Sequence, residues 1–458
     1  MTLALTEGWR DMVVGWLAVL SCLAAVGSNG GADDEPRPPA VLREVVAVGA
    51  TDRVKIEAKA RGELTPDGEP GKPKPRPIDV TVTSSLTYRE RTLAVGPEGR
   101  PRRVARFVEA GEAAIDTRDR PIRTTLRDTR TTLIAEARET SVRVFAPGGP
   151  LSRSELDLVE APADPMSLAG LLSEKAVAVG DTWEPSRPAV QALTDYEALA
   201  TSSVRARVES MDASTARIRL AGDVRGAVRG GEGTLSLDGT LTFDRVRGRI
   251  VELQLSRVEV RGPGQVEVGF RFEGTLKVVR EPADTPPELT DAVLANLPVE
   301  ASPGLLLLEF TAPDGRYRFL HDRDWHLLWD DTRMAVLKRL DRGEMVAQCN
   351  LSVGPNAGVG RHQDTKQFEA DIRKAIGPRF VASLGAEELR DAPPGEFRYR
   401  VAVQGREGQQ DILWYYYLIA GPEGDQLVAT FTLNATDLKR LGDQDLQLVG
   451  TLEWGAAK

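Results

Sequence analysis

The residues best suited to hold a metal ion are His321 and His326, which flank Asp322 and Asp324 in the segment FLHDRDWHLLW. Imidazole and carboxylate are the usual donors for a zinc-type ion. If one strand ran through both histidines, their spacing of five would send them to opposite faces. A turn at 322–324 would remove that objection. Two readings therefore stand, a metal pair or a polar turn between two aromatic strands. The third histidine, His362, follows a glycine-rich loop and precedes an expected helix, and is expected to be solvated.

Cys349 is the candidate nucleophile. It shares parity with Met345, Ala347, Leu351 and Val353, which makes it the small member of a buried face. A thiol in that setting is inert. The loop Gly354-Pro355-Asn356-Ala357-Gly358-Val359-Gly360 lies between a strand and a helix, where phosphate loops sit. It lacks the Gly-Lys-Ser/Thr ending and the GxGxxG spacing, and reads as a flexible connector. No GxSxG elbow or SxxK pair occurs. With 68 acidic residues, no carboxylate pair is singled out for hydrolysis, and 5% aromatics is poor for a sugar cleft. Asp181 and Trp183 in GDTW fit a tight turn with a packed Trp. The expectation is a protein that is not an enzyme, with no catalytic residue, cofactor or metal.

Arginines crowd 100–130: Arg100, Arg102, Arg103, Arg106, Arg118, Arg120, Arg123, Arg127 and Arg130. Interleaved Glu109, Glu112, Asp116, Asp119 and Asp128 suggest the wet face of strands. The sharper alternative is a docking patch for an acidic envelope polymer or a lipid head group. A net charge of −9 argues against nucleic acid as the partner.

The compartment follows from the first residues. Residues 12–26, MVVGWLAVLSCLAAV, carry no charge and are followed by SNGGADDEPRPP. A membrane span needs about 20 apolar residues, so the run fits an export signal, with Ala25-Val26-Gly27 as a small-x-small cleavage site. Val19-Leu20-Ser21-Cys22 resembles a bacterial lipobox, which makes Cys22 a candidate for lipidation. It departs from that pattern at Leu20 and in the apolar residues after Cys22. An uncleaved anchor is the third alternative. The expected location is the periplasm or cell envelope, with the membrane reached only through such an N-terminal anchor. A chain cut after Gly27 keeps one cysteine, Cys349, so stability must come from packing.

The elements that must position these groups follow from periodicity. Residues 1–27 are the expected signal, 28–42 a flexible tether, 43–280 an antiparallel β domain, 281–304 a linker and 305–458 an α+β domain. In 78–88, Ile78, Val80, Val82, Leu86 and Tyr88 alternate with Asp79, Thr81, Thr83, Ser85 and Thr87. Period-two alternation means one dry and one wet face. Val204, Ala206 and Val208 repeat it, as do Ala216, Ile218 and Leu220, and then Leu235, Leu237, Leu241 and Phe243. Val251, Leu253 and Leu255 return, followed by Val258 and Val260, then Val266, Val268, Phe270 and Phe272. Short turns between long strands predict a meander. The Pro/Gly-rich stretch 62–77 breaks it. A short helix is expected at 164–172, with Asp164 as N-cap. A short helix is also expected from Pro286-Pro287.

In the second domain Asp364-Thr365-Lys366-Gln367 has the form of a capping box, and Phe368, Ile372, Ala375 and Ile376 share a helix face ended by Gly377-Pro378. Strands are expected at 411–419 and 426–433. A terminal helix carries Leu438, Leu441, Leu446, Val449 and Leu452. The segment Trp414 to Tyr417 either offers aromatics to a partner or is a central strand buried on both faces.

Two resemblances follow. Asp314-Gly315-Arg316-Tyr317-Arg318-Phe319, Asp324-Trp325, Trp414-Tyr415-Tyr416-Tyr417, the Gly421-Pro422-Glu423-Gly424-Asp425 turn and the closing helix resemble the PsbP-like α/β/α sandwich over about 305–455. That resemblance implies a fold and no site residue. Val179-Gly180-Asp181-Thr182-Trp183 and the Gly239-Thr240-Leu241-Thr242-Phe243-Asp244 hairpin resemble bacterial envelope proteins with one long curved antiparallel sheet, broadly LolA-like. It implies a concave sheet able to hold an acyl chain, a fold-level analogy. The expected fold class is thus β-rich plus α+β. The expected function is a non-catalytic envelope protein that binds a partner or stabilises an assembly. The alternative is a carrier of an apolar ligand, with Val204, Val208, Leu253 and Leu255 lining its cavity.

Overall fold

The computed structural model describes residues 38–66, 75–117 and 121–455. The expected signal, Cys22 and most of the tether lie outside the described residues. The chain divides into two compact units, with the boundary between Leu305 and Leu306.

In the first unit the strands are β1 (Thr51–Thr65), β2 (Ile78–Val95), β3 (Pro101–Thr117), β4 (Pro121–Thr125), β5 (Thr132–Ala137), β6 (Val142–Phe145) and β7 (Thr182–Trp183). They continue as β8 (Ala198–Ser202), β9 (Arg205–Met211), β10 (Thr215–Val228), β11 (Gly231–Asp244), β12 (Arg249–Arg261) and β13 (Gly269–Pro282). All join one open sheet in the order β6-β5-β3-β2-β1-β13-β12-β11-β10-β9-β7, with β4 on β3 and β8 on β10. The expected antiparallel meander is therefore present from β9 to β13, and β1 to β3 extend it.

The alternation in sequence sorts the sheet into faces. On the dry face Leu86, Ile56, Val278, Leu253, Leu241, Ile218 and Val208 lie side by side across seven strands. Each such aliphatic side chain contributes about 1.5–3 kcal/mol on full burial. On the other face Lys55, Glu57, Arg217, Arg219 and Thr240 meet solvent or one another.

β12 departs from the expected pattern. The parity of Leu253 and Leu255 continues unbroken to Arg261, so Arg257, Glu259 and Arg261 are buried while Val258 and Val260 face the wet side. Hydrophobicity alone places the valines inside; pairing of the ionised groups overrides it. The segment Gly239 to Asp244 is the second half of β11, with its turn after it, and not a hairpin in itself. Val266 and Val268 precede β13 and are half-buried.

The break expected at 62–77 starts later, because Gly62, Glu63 and Leu64 still pair with both neighbours as the end of β1; polar side chains fix other breaks. The expected helix at 164–172 is a 3-10 helix, Pro165–Leu171, and Asp164 accepts the Met166 amide. A capping box that the sequence reading missed starts the helix Arg153–Val159, between Ser152 and Glu155. Within residues 38–42 of the expected tether, Ala40 bridges to Val177 and Leu42 is buried. The expected linker is docked too, because Arg91 donates to the Leu289 carbonyl and pairs with Asp291. It carries a 3-10 turn, Pro287–Leu289, and a helical turn, Asp291–Leu294.

The second unit holds β14 (Leu308–Thr311), β15 (Tyr317–His321), β16 (Trp325–Asp330), β17 (Met334–Asp341), β18 (Glu344–Gly354) and β19 (Phe380–Glu388). β20 (Phe397–Glu407), β21 (Gln410–Ala420), β22 (Gln426–Asn434) and β23 (Glu453–Trp454) complete it. β14-β15-β23 form a small sheet, and β16-β17-β18-β22-β21-β20-β19 a larger one. The class is β-rich plus α+β.

Both faces of the large sheet are covered. Tyr415, Tyr417 and Phe431 pack in one cluster with Leu441, Leu448 and Val449; Trp414 and Leu418 pack in another under Phe368, Ile372 and Ile376. The aromatics of 414–417 thus belong to an interior strand. The helix Thr365–Ile376 is capped by Asp364, which accepts the Gln367 amide, but Gln367 turns its side chain to Asp371 and Ala375 is exposed. The expected terminal helix is broken at Gly442, whose φ of 62° ends Leu438–Leu441 before Gln444–Gly450 begins. Leu438 and Leu446 are consequently exposed and Leu448 takes the inner position.

Candidate functional site

Val204, Val208, Leu253 and Leu255 are all buried on the dry face of the first unit. Val208 stands opposite Ile218, while Leu253 and Leu255 stand opposite Val278 and Leu276. Gly239 faces Leu255, and a Cβ on that glycine would come within 2.0 Å of the Gln254 carbonyl oxygen. The strands therefore approach closely where the row of large side chains is interrupted.

Two buried charge networks interrupt the same face. In the first, Arg106 is 2% exposed and donates both terminal nitrogens to Asp164 at 2.7 and 2.8 Å and its Nε to Glu90 at 2.9 Å. Its guanidinium lies 4.8 Å from the centre of the Tyr88 ring. Arg280 binds Glu44 at 2.5 Å, and Arg249 binds Asp52. Burial pushes the Glu90 carboxyl up, against the pull of Arg106. Arginine stays charged, so Arg106 fixes the geometry of the two carboxylates. The expectation that the arginines of 100–130 line a wet face fails at Arg106; Arg118 and Arg120 lie outside the described residues.

In the second network Arg261 holds Glu259 at 2.7 Å and Glu267 at 3.1 Å, Arg229 holds Glu267 at 2.6 Å, and the Tyr196 hydroxyl donates to Glu259 at 3.1 Å. Burial raises the Glu259 pKa. These residues were missed in sequence; extending the parity of Leu253 and Leu255 finds Glu259 and Arg261, whereas Tyr196, Arg229 and Glu267 come from other segments.

An open cavity of about 480 Å³ lies beside β3, β5 and β6, lined by Arg102, Arg103, Glu136, Arg138, Arg143 and Glu300 among others. A second, of about 360 Å³, is lined by Val46, Asp52, Arg249 and Arg280 among others.

In the second unit, His321 and His326 fall in different sheets, separated by a turn in which Asp322 accepts the Asp324 amide. Nδ1 of His321 lies 2.8 Å from the Asp322 carbonyl oxygen. Among the described residues no three His, Cys, Asp or Glu side chains converge as a metal site would require. Cys349 is fully buried beside Ala347 and Leu351, and burial pushes its thiol pKa well up. Met345 is exposed, because a register shift in β17–β18 puts Val346 inside instead. The glycine loop is pinned, not free: Ala357 donates to Gly424, Gly360 to Pro422, and Asn356 to Glu423. His362 stacks on Phe397 with ring centres 3.6 Å apart. In the GDTW turn, Asp181 accepts the Ala178 amide and the half-buried Trp183 donates to the Leu171 carbonyl.

No protein-family profile matches the chain. No curated protein matches its sequence. Among solved structures, a protein from Bacteroides thetaiotaomicron is similar over 32% of this chain at 12% identity, with a TM-score of 0.24. The chain spans about half of that protein's length, 47%. Cyanobacterial PsbP (CyanoP) from Synechocystis is similar over 34% of this chain and 99% of its own, at 15% identity and a TM-score of 0.25. Lipovitellin is similar over 52% of this chain and 26% of its own, at 10% identity and a TM-score of 0.29.

Proposed function

We propose that this chain is an exported, non-catalytic cell-envelope protein that binds a partner or stabilises an assembly. The observation that carries the reading is β19. It is the terminal strand of the large sheet, with Val381 51% and Leu384 53% exposed. An edge strand presents unpaired backbone groups that an extended segment of another protein can join, with exposed side chains giving selectivity. Its two register shifts against β20 twist that edge and limit which segments fit. Export rests on the apolar run at 12–26 and its small-x-small ending. Cross-linking in intact cells, followed by identification of captured proteins, tests the reading. Specific capture by the native chain, lost in Val381→Lys/Leu384→Lys, is the expected result. Recovery of uncross-linked monomer alone refutes it. The mass of the mature N-terminus tests export: Ser28 means release, lipidated Cys22 a tether, and Met1 an uncleaved anchor.

A second reading, carriage of an apolar ligand, is favoured by the aliphatic rows that run across the dry face through Val204, Val208, Leu253 and Leu255, and by the LolA-like resemblance. Native mass spectrometry of protein purified from its host tests it; a mass matching the bare chain counts against it.

A further inference from the structure

We propose that the arginine-lined cavity beside β3, β5 and β6 binds a phosphoryl group. The register places Arg103, Glu136 and Arg143 side by side on three adjacent strands. Glu136, with a side chain only 10% exposed, takes Arg103 at 3.0 Å through one oxygen and Arg138 at 2.6 Å through the other. That single carboxylate holds two guanidiniums in fixed orientation without neutralising both. Glu300 adds a rim contact to Arg103 at 3.4 Å, but its side chain is 81% exposed, and such contacts contribute little.

Arg102 and Arg143 also line the cavity, and among the described residues neither has a carboxylate partner. The lining thus holds four guanidiniums against two carboxylates, an excess of two positive charges in a chain whose net charge is −9. An anion drawn here is drawn by the site and not by the protein as a whole. A phosphoryl group offers several acceptor oxygens, and guanidinium forks match that geometry with charge-assisted bonds. The cavity is open and about 480 Å³, so a phosphate on a larger molecule can enter as readily as the free ion.

The test uses the whole chain in about 0.15 M salt, where weak long-range attraction is screened. Inorganic phosphate is titrated by calorimetry. In parallel, co-sedimentation is measured with phosphatidylglycerol-containing vesicles and with phosphatidylcholine vesicles. Arg102→Gln/Arg143→Gln removes the two uncommitted guanidiniums and leaves the Glu136 contacts intact. Arg217→Gln/Arg225→Gln, on the wet face of β10, serves as the charge-matched control. Saturable phosphate binding that weakens about tenfold or more in the first variant only identifies a soluble phosphate ligand. Selective binding to the phosphatidylglycerol vesicles, lost in the first variant only, identifies a lipid head group. No binding in either arm overturns the proposal, and so does equal loss in both variants.

Discussion

Arg106 shows what a charge can do in the dry face of a sheet. It satisfies Asp164 and Glu90 at once, and nothing but another guanidinium has that fork. Arg106→Met leaves two carboxylates buried and unpaired, at an expected cost of about 3–5 kcal/mol. Urea unfolding measures this, and a loss under about 1 kcal/mol would show that the network is incidental. Glu155 gives a pH signature. Burial raises its pKa, but the Arg127 guanidinium and the amides of Ser152 and Arg127 together lower it further, so the net is down. A carboxylate lowered in the folded state stabilises above its unfolded pKa, about 4.3. That stability is lost as pH falls through the lower folded value. Glu155→Gln is therefore expected to cost about 1.5–3 kcal/mol at pH 7, with the gap to the native chain closing in acid. Urea midpoints across that pH range decide it, and a constant gap contradicts the assignment.

At the scale of elements, one strand carries opposite instructions on its two faces. Leu253→Ala is expected to cost about 2–5 kcal/mol, whereas Val260→Ala on the wet face of the same strand stays within about 0.5 kcal/mol. Equal losses in thermal unfolding would mean that the faces are misassigned. Gly424 has a φ of +83°, and a Cβ there would meet the Gly358 carbonyl oxygen at 2.2 Å. Gly424→Ala is thus expected to cost about 1–3 kcal/mol by backbone strain alone, read as a lowered melting temperature. The long strands were legible because their alternation is a local signal. The pinning of the glycine loop was not, since its partners lie more than sixty residues later in the 421–425 turn. Nor was the break at Gly442, because a leucine spacing that suits one long helix also suits two short ones. The buried side of β12 was hidden for a third reason: its inward residues are charged, so hydrophobicity pointed to Val258 and Val260 although the parity of Leu253 and Leu255 did not. Of the cavity arginines, Arg102 and Arg103 stood in the sequence within a crowd, while Arg138 and Arg143 were not singled out, and only the pairing of β3, β5 and β6 brings the four together.

For the whole molecule, the boundary at Leu305 and Leu306 predicts that residues 306–458 fold alone. That fragment carries four of the seven tryptophans, Trp325, Trp329, Trp414 and Trp454. Its unfolding followed by tryptophan fluorescence is expected to be a single cooperative transition, and a featureless slope would refute independence. The burial of Cys349 gives the same unit an intrinsic reporter. In a chain cut after Gly27, or one acylated at Cys22, Cys349 is the only thiol left to react. A thiol reagent added to native protein can then reach it only when the second unit opens, so the labelling rate reads that opening with no engineered probe. A stoichiometric burst ahead of the slow phase would come from Cys22 instead, and would announce that the leader had been kept with its thiol bare.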